Sequence, residues 1–223
     1  METMEIIQGF MKREQQEKIE KYRVLNETVK KGKILFTGSS LMEQFPIHEL
    51  MMNEGLGLTI YNRGVGGFTT SDILENMEEQ IFGTEPSKIF INIGTNDISD
   101  ASRSFEAVLE SMLENYERIL TQIKERLPET EVYMMAYYPV NETDKVPETE
   151  WAGAMFVNRN NRNLPIANEA VKKLAEKMGY HYIDVNAGLC DERGMLRREF
   201  TVEGVHMYAN GYQVVLKNLK PYL

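Results

Sequence analysis

Short apolar runs alternate along the chain with longer stretches whose apolar residues recur at helical spacing. The runs fall at 33–37, 57–61, 88–93, 131–137 and 181–185. They are mostly continuous and bounded by glycine, proline or charge, the pattern of strands buried on both faces of a parallel sheet. Between them, Phe105, Val108, Leu109, Met112, Tyr116, Ile119, Leu120 and Ile123 form one stripe over 104–127, stopped by Pro128. A second helix opens near Pro165 and runs through Ile166, Ala170, Val171, Leu174 and Met178 to Gly179; a third, about 210–219, carries Tyr212, Val215, Leu216 and Leu219. Residues 1–31 read as a polar helix ended by Gly32, with Ile19, Tyr22, Asn26 and Val29 on one face and Glu14–Lys18 and Glu17–Lys21 one turn apart. Such a helix packs on the outside of a domain or serves a homodimer contact. Five strand–helix repeats predict an α/β fold: a three-layer α/β/α sandwich around a five-stranded parallel sheet. The domain then spans 32–223, with 1–31 as an extension. In such sheets ligands sit at the carboxyl ends of the strands.

Composition narrows this picture. The 223 residues suit one domain with a sizeable core, and 42% hydrophobic with 26% charged residues is an ordinary globular balance. A net charge of −9 and a pI near 5.0 argue against nucleic acid or an anionic membrane as partner. One cysteine, Cys190, permits no internal disulfide and no thiolate metal cluster. No apolar run approaches the ~18 residues of a membrane span. The N-terminus is acidic where a signal peptide would be basic, so a cytoplasmic location is expected.

The loops after the strands carry the candidate chemistry. The first strand ends in Gly38-Ser39-Ser40, where a sharp turn puts serines at a helix start whose free N–H groups and dipole favour negative charge, or where a serine simply caps the helix. The second ends in Gly64-Val65-Gly66-Gly67, whose glycines let the backbone approach a ligand; the dinucleotide fingerprint and the phosphate-loop lysine are both missing. The third ends in Gly94-Thr95-Asn96-Asp97, which offers an amide donor or bonds only itself. Of three histidines, His181 lies in a strand and His48 in a helix-like stretch, whereas His206 sits in a loop three residues after Glu203. That spacing lets one turn present both side chains to a common site. The long connection 138–164 carries Trp151, which either stacks a sugar ring or acyl chain or anchors the loop. It also carries Arg159 and Arg162, which either bind an anion or stand in solvent.

Taken in order, these blocks resemble the SGNH (GDSL-type) hydrolases over residues 33–212. The resemblance implies a flavodoxin-like SGNH fold and a serine esterase that needs no metal or cofactor. It makes Ser40 the nucleophile and His206 the base. The Ser40 and Gly67 amides and the Asn96 side chain become the oxyanion hole, with Gly66 as the alternative to Gly67. Two positions depart from the family. Ser39 stands where the family commonly has aspartate, and Glu203 stands in the usual Asp-x-x-His. Glu203 either accepts from the imidazole or turns away, leaving a backbone carbonyl to orient His206. The implied substrate is a short-chain, first of all acetyl, ester of a carbohydrate or small metabolite. The alternatives are a thioesterase or lysophospholipase on longer chains, a catalytically silent binding module, and a flavodoxin-like nucleotide binder.

Overall fold

A computed structural model describes residues 2–144 and 150–223, apart from the side chains of residues 2–4 and 150–152. In chain order the elements are α1 (Glu2–Asn26), β1 (Ile34–Gly38), α2 (Ser40–Glu43), α3 (Ile47–Asn53), β2 (Ile60–Asn62), α4 (Thr70–Glu75) and α5 (Met77–Gln80). There follow β3 (Lys88–Asn92), α6 (Thr95–Ile98), α7 (Phe105–Arg126), β4 (Glu131–Met135), α8 (Glu150–Met155), α9 (Leu164–Met178), β5 (His181–Ile183) and α10 (Ala209–Leu219).

All strand pairings are parallel, in the order β2-β1-β3-β4-β5. This is the expected five-stranded α/β sandwich. Successive strand residues point to opposite layers, and both are apolar, which is why the runs read as continuous. Leu35, Ile89, Ile91, Val132 and Met134 face a core shared with α7 and α9. Phe36, Phe90 and Met135 face the opposite core, shared with α2, α3 and α10. On that second face the register sets Phe36 beside Phe90 and Phe90 beside Tyr133, with ring centroids 5.1 and 5.0 Å apart. Each such pair contributes about 0.5–1.5 kcal/mol beyond its burial. His181 extends this ladder by stacking on Tyr133 at 4.7 Å, so it is a packing imidazole at the edge strand.

The structure departs from the sequence expectation at β2, which starts at Ile60 where the apolar run starts at 57, at the end of α1 and in the long connection. Helix α1 ends at Asn26, short of Gly32, because the buried Asn26 side chain is claimed by tertiary partners: it donates to Glu79 O and accepts from Arg63 Nε. The long 138–164 connection contains α8 and is braced by asparagines. Asn161 pairs with both backbone groups of Val140, and Asn158 donates to Asp100 O and Arg103 O. Side-chain amides thus satisfy backbone groups that no strand or helix pairs. Among the described residues no helix is long and apolar enough to cross a membrane.

Order reverses between β1 and β3, so the carboxyl ends of these strands open the crevice where a ligand belongs. Gly38 makes that junction: its φ is +145°, and a Cβ there would lie 2.0 Å from Asn92 O. Gly38→Ala must push β1 from β3 and is expected to cost about 3 kcal/mol. Urea denaturation should record this as a lower midpoint at unchanged slope; an unshifted midpoint contradicts it.

Candidate active site

The four loops singled out in the sequence meet at this crevice. Ser39 is the extended N-cap of α2, and its N–H donates to Asn92 O at 3.3 Å, which seats Ser40 in the first turn directly above the sheet. Ser40 Oγ lies 2.8 Å from His206 Nε2, and His206 Nδ1 lies 2.6 Å from Glu203 Oε1. Glu203 therefore turns toward the imidazole, and its Oε1 also accepts the His206 backbone N–H at 3.0 Å.

A short closed turn makes the glutamate reach. Val202 N–H and Thr201 Oγ1 both donate to His206 O, and Gly204 N–H donates to Thr201 Oγ1. Gly204, at φ +109°, presses against Asn141 O, where a Cβ would sit at 2.4 Å. From the other side, α10 is fixed to α2 by the buried Tyr212, whose hydroxyl donates to Leu41 O at 2.8 Å and whose ring stacks on Phe45. The turn and the helix start are thereby held together although His206 and Ser40 are 166 residues apart.

The glycine loop lies against Ser40: a Cβ on Gly66 would be 3.8 Å from Ser40 Cβ. Its backbone groups are largely spoken for. Gly64 N–H goes to Asn62 Oδ1, Val65 N–H to Gly38 O, Phe68 N–H to Val65 O, and Gly66 N–H to the Glu43 carboxylate. Among the described residues the Gly67 and Ser40 amides have no intramolecular acceptor. Asn96, in the first turn of α6, donates through Nδ2 to Phe68 O at 2.9 Å, so its amide is tied to the same loop. Beside it Asp97 accepts from the Thr70 N–H and hydroxyl; burial raises its pKa and these hydrogen bonds oppose the rise.

The parts played by Glu43 and Lys18 were not legible beforehand. Glu43 follows Ser40 by three residues and anchors Gly66, with Lys18 of α1 on its other oxygen. Lys18 thus reaches across to Glu43, where the sequence suggested a pair with Glu14. Arg159 is buried at 3% exposure, unlike the exposed Arg162; burial pulls its pKa down to about 10, opposed by the nearby Glu203 and Tyr137. The sequence offered Arg159 as an anion binder or a solvated group, and its burial removes the solvated reading. Trp151, read as either a substrate contact or an anchor of the loop, has a side chain outside the described residues. Among the described residues no group of three or more His, Cys, Asp or Glu comes together to hold a metal.

Residues 47–214 match the model of the GDSL-like Lipase/Acylhydrolase family, a span that begins beyond Ser40. A Streptococcus pneumonia structure provisionally named a platelet activating factor is 33% identical, with a TM-score of 0.86 over 99% of this chain and 97% of that one. A GDSL-like lipase of Bacteroides thetaiotaomicron (17% identical, TM-score 0.72, covering 92% and 96%) shares the fold. So does an acetylxylan esterase of Geobacillus stearothermophilus (18%, 0.61, 86% and 94%). An N-acylneuraminate cytidylyltransferase of Escherichia coli is 24% identical over 194 residues, 85% of this chain; that stretch spans only 40% of the length of this curated relative.

Burial pushes the Glu203 carboxyl up, but the His206 side-chain and backbone hydrogen bonds, with the charges of His206 and Arg159, outweigh it and leave it below the ordinary glutamate value. A carboxylate depressed in the folded state adds stability above its unfolded pKa of ~4.3 and loses it as pH falls through the folded value. Wild type should therefore melt above Glu203→Gln at neutral pH, and the gap should close below about pH 4. A melting series across that range tests this; a gap that widens in acid contradicts it.

Proposed function

The chain belongs to the GDSL-like lipase and acylhydrolase family, whose members are ester-hydrolysing serine enzymes, and on that premise we propose that it cleaves a short-chain ester, acetyl first, of a carbohydrate or small metabolite. The observation that carries this reading is the unbroken line of hydrogen bonds from Glu203 through His206 to Ser40, at 2.6 and 2.8 Å.

In the proposed reaction Ser40 Oγ attacks the ester carbonyl as His206 Nε2 takes its proton. The tetrahedral intermediate collapses, the carbon–oxygen bond to the alcohol breaks, and His206 returns the proton to the leaving oxygen. Water, deprotonated by the same nitrogen, then attacks the acyl-enzyme and releases the acid and free Ser40. Glu203, accepting from Nδ1, selects the tautomer that leaves Nε2 free and stabilises the imidazolium. The intermediate's oxygen is held by the Ser40 and Gly67 N–H groups and by the Asn96 amide. Supporting Gly67 over Gly66 is the engagement of the Gly66 N–H by Glu43.

The acetyl choice draws on the likeness to the acetylxylan esterase. A reading on longer acyl chains has its own support, since α1 carries the exposed Ile6, Phe10 and Met11, and Met11 Cε would lie 3.9 Å from a Cβ at Gly67.

Wild type should be labelled by a fluorophosphonate and should hydrolyse p-nitrophenyl acetate. Ser40→Ala should lose both; a labelled Ser40→Ala variant removes Ser40 as nucleophile, and an unlabelled, inactive wild type favours the binding module. Asn96→Ala should lower kcat by ~10²–10³ while leaving activity measurable. Across p-nitrophenyl esters, kcat/KM should fall steeply beyond butyrate; a rise toward octanoate selects the longer-chain reading.

A further inference from the structure

Helix α1 meets the catalytic end of the domain along one stripe. Asn26 accepts from Arg63 Nε, Tyr22 hydroxyl donates to Gly64 O at 2.7 Å, Lys18 pairs with Glu43, and Gln15 Nε2 donates to Gly66 O at 2.8 Å. Spacings of three and four residues keep all four side chains on one helix face. The stripe lies outside residues 47–214, the part that the family model matches.

The bond from Gln15 has a particular consequence. In a trans peptide unit the C=O and the N–H point in opposite directions. The carbonyl of Gly66 and the N–H of Gly67 belong to the same unit, so drawing the carbonyl to α1 turns the N–H the other way. Neither flanking residue has a Cβ, and Gly67 sits at φ +77°, so this unit can turn over at little steric cost. Turned over, it would set a carbonyl oxygen where negative charge develops and remove the donor. The preceding peptide is held separately, through the Gly66 N–H on Glu43. A hydrogen bond accepted at the carbonyl also polarises the N–H of the same unit and makes it a better donor.

We propose that Gln15 is a positioning residue for the oxyanion hole, locking the Gly66–Gly67 peptide so that the Gly67 N–H faces the reacting carbonyl. This rests on the esterase reading above. The N-terminal helix thereby becomes part of the catalytic machinery instead of an appendage.

The test compares Gln15→Leu, which lacks the donor, Gln15→Glu, which repels the carbonyl at equal size, and Gln15→Lys, which keeps an N–H donor. With p-nitrophenyl acetate, kcat should fall about tenfold in Gln15→Leu and up to about 100-fold in Gln15→Glu, with KM within about twofold. Gln15→Lys should recover most of the loss. Gln15 is only half-buried, so melting temperatures should stay close to wild type. The pH profile should keep its shape, because His206 and Glu203 are untouched. Arg13→Ala, which removes only an exposed pair with Glu17, should behave as wild type. A crystal structure of Gln15→Glu should show the Gly66 carbonyl turned toward Ser40. If wild type is labelled at Ser40 while both donor-free variants keep kcat within twofold, the proposal fails and the esterase reading stands. A loss of kcat that tracks a lost fold, or an unturned peptide in Gln15→Glu, also overturns it. An inactive, unlabelled wild type overturns the esterase reading and the proposal with it.

Discussion

The catalytic end of the sheet is organised by one close backbone approach, between Gly38 at the end of β1 and Asn92 at the end of β3. No side chain fits between them, since a Cβ on Gly38 would overlap Asn92 O. The same glycine carbonyl accepts the Val65 N–H and Gln80 Nε2, and the next residue, Ser39, donates to Asn92 O. Two strand ends, the glycine loop and α5 therefore converge on one residue. Ser40 starts its helix at the point where strand order reverses, and the loop that faces it is registered by the same contact. The proposed nucleophile and oxyanion amides would need closely fixed positions, and backbone-to-backbone contact provides that better than flexible side chains.

Electrostatics around the site work through a few buried groups while the surface remains acidic. Arg63 lies under the glycine loop between the rings of Tyr22 and Tyr61, at 5.0 and 5.6 Å, with Asn26 on its Nε. Burial lowers its pKa, and the two tyrosines oppose the change. Ring faces and amide oxygens thus stabilise the cation where no carboxylate is paired with it among the described residues. Arg159 is likewise buried, and its charge helps hold the Glu203 carboxyl below the ordinary glutamate value. Most other ion pairs lie on exposed surface, such as Arg13–Glu17 and Lys173–Glu169, where such pairs contribute little.

Much of the fold was legible because burial imposes periodicity. The stripe from Phe105 to Ile123 became α7, the run 88–93 became the central strand β3, and Gly179 ended α9 in a left-handed conformation at φ +75°. Less visible were elements whose stability is not periodic. Helix α8 lies inside a connection rich in asparagine and proline, and the helices α2, α5 and α6 are each four residues long. The end of α1 shifted because Asn26 found partners on α5 and beside β2, an interaction that no local rule encodes. The contact of Lys18 with Glu43 was missed for the same reason: within a helix Glu14 is near in sequence, but Glu43 is near in space.

The sequence by itself determined the layer order, the loops that carry chemistry and the residue types at their tips, because hydrophobic spacing and glycine conformational freedom are local properties. It left open whether Glu203 faced His206, which glycine offered its N–H, and what the N-terminal helix was for. The tertiary structure decided the first and supplied the contacts on which the proposals for the other two rest. Asn141 against Gly204 sets the turn that brings Glu203 to the imidazole. Glu43 occupies the Gly66 N–H, and Gln15 takes the Gly66 carbonyl. A backbone N–H looks the same at every residue in the sequence; its direction depends on which distant groups hold the two ends of its peptide.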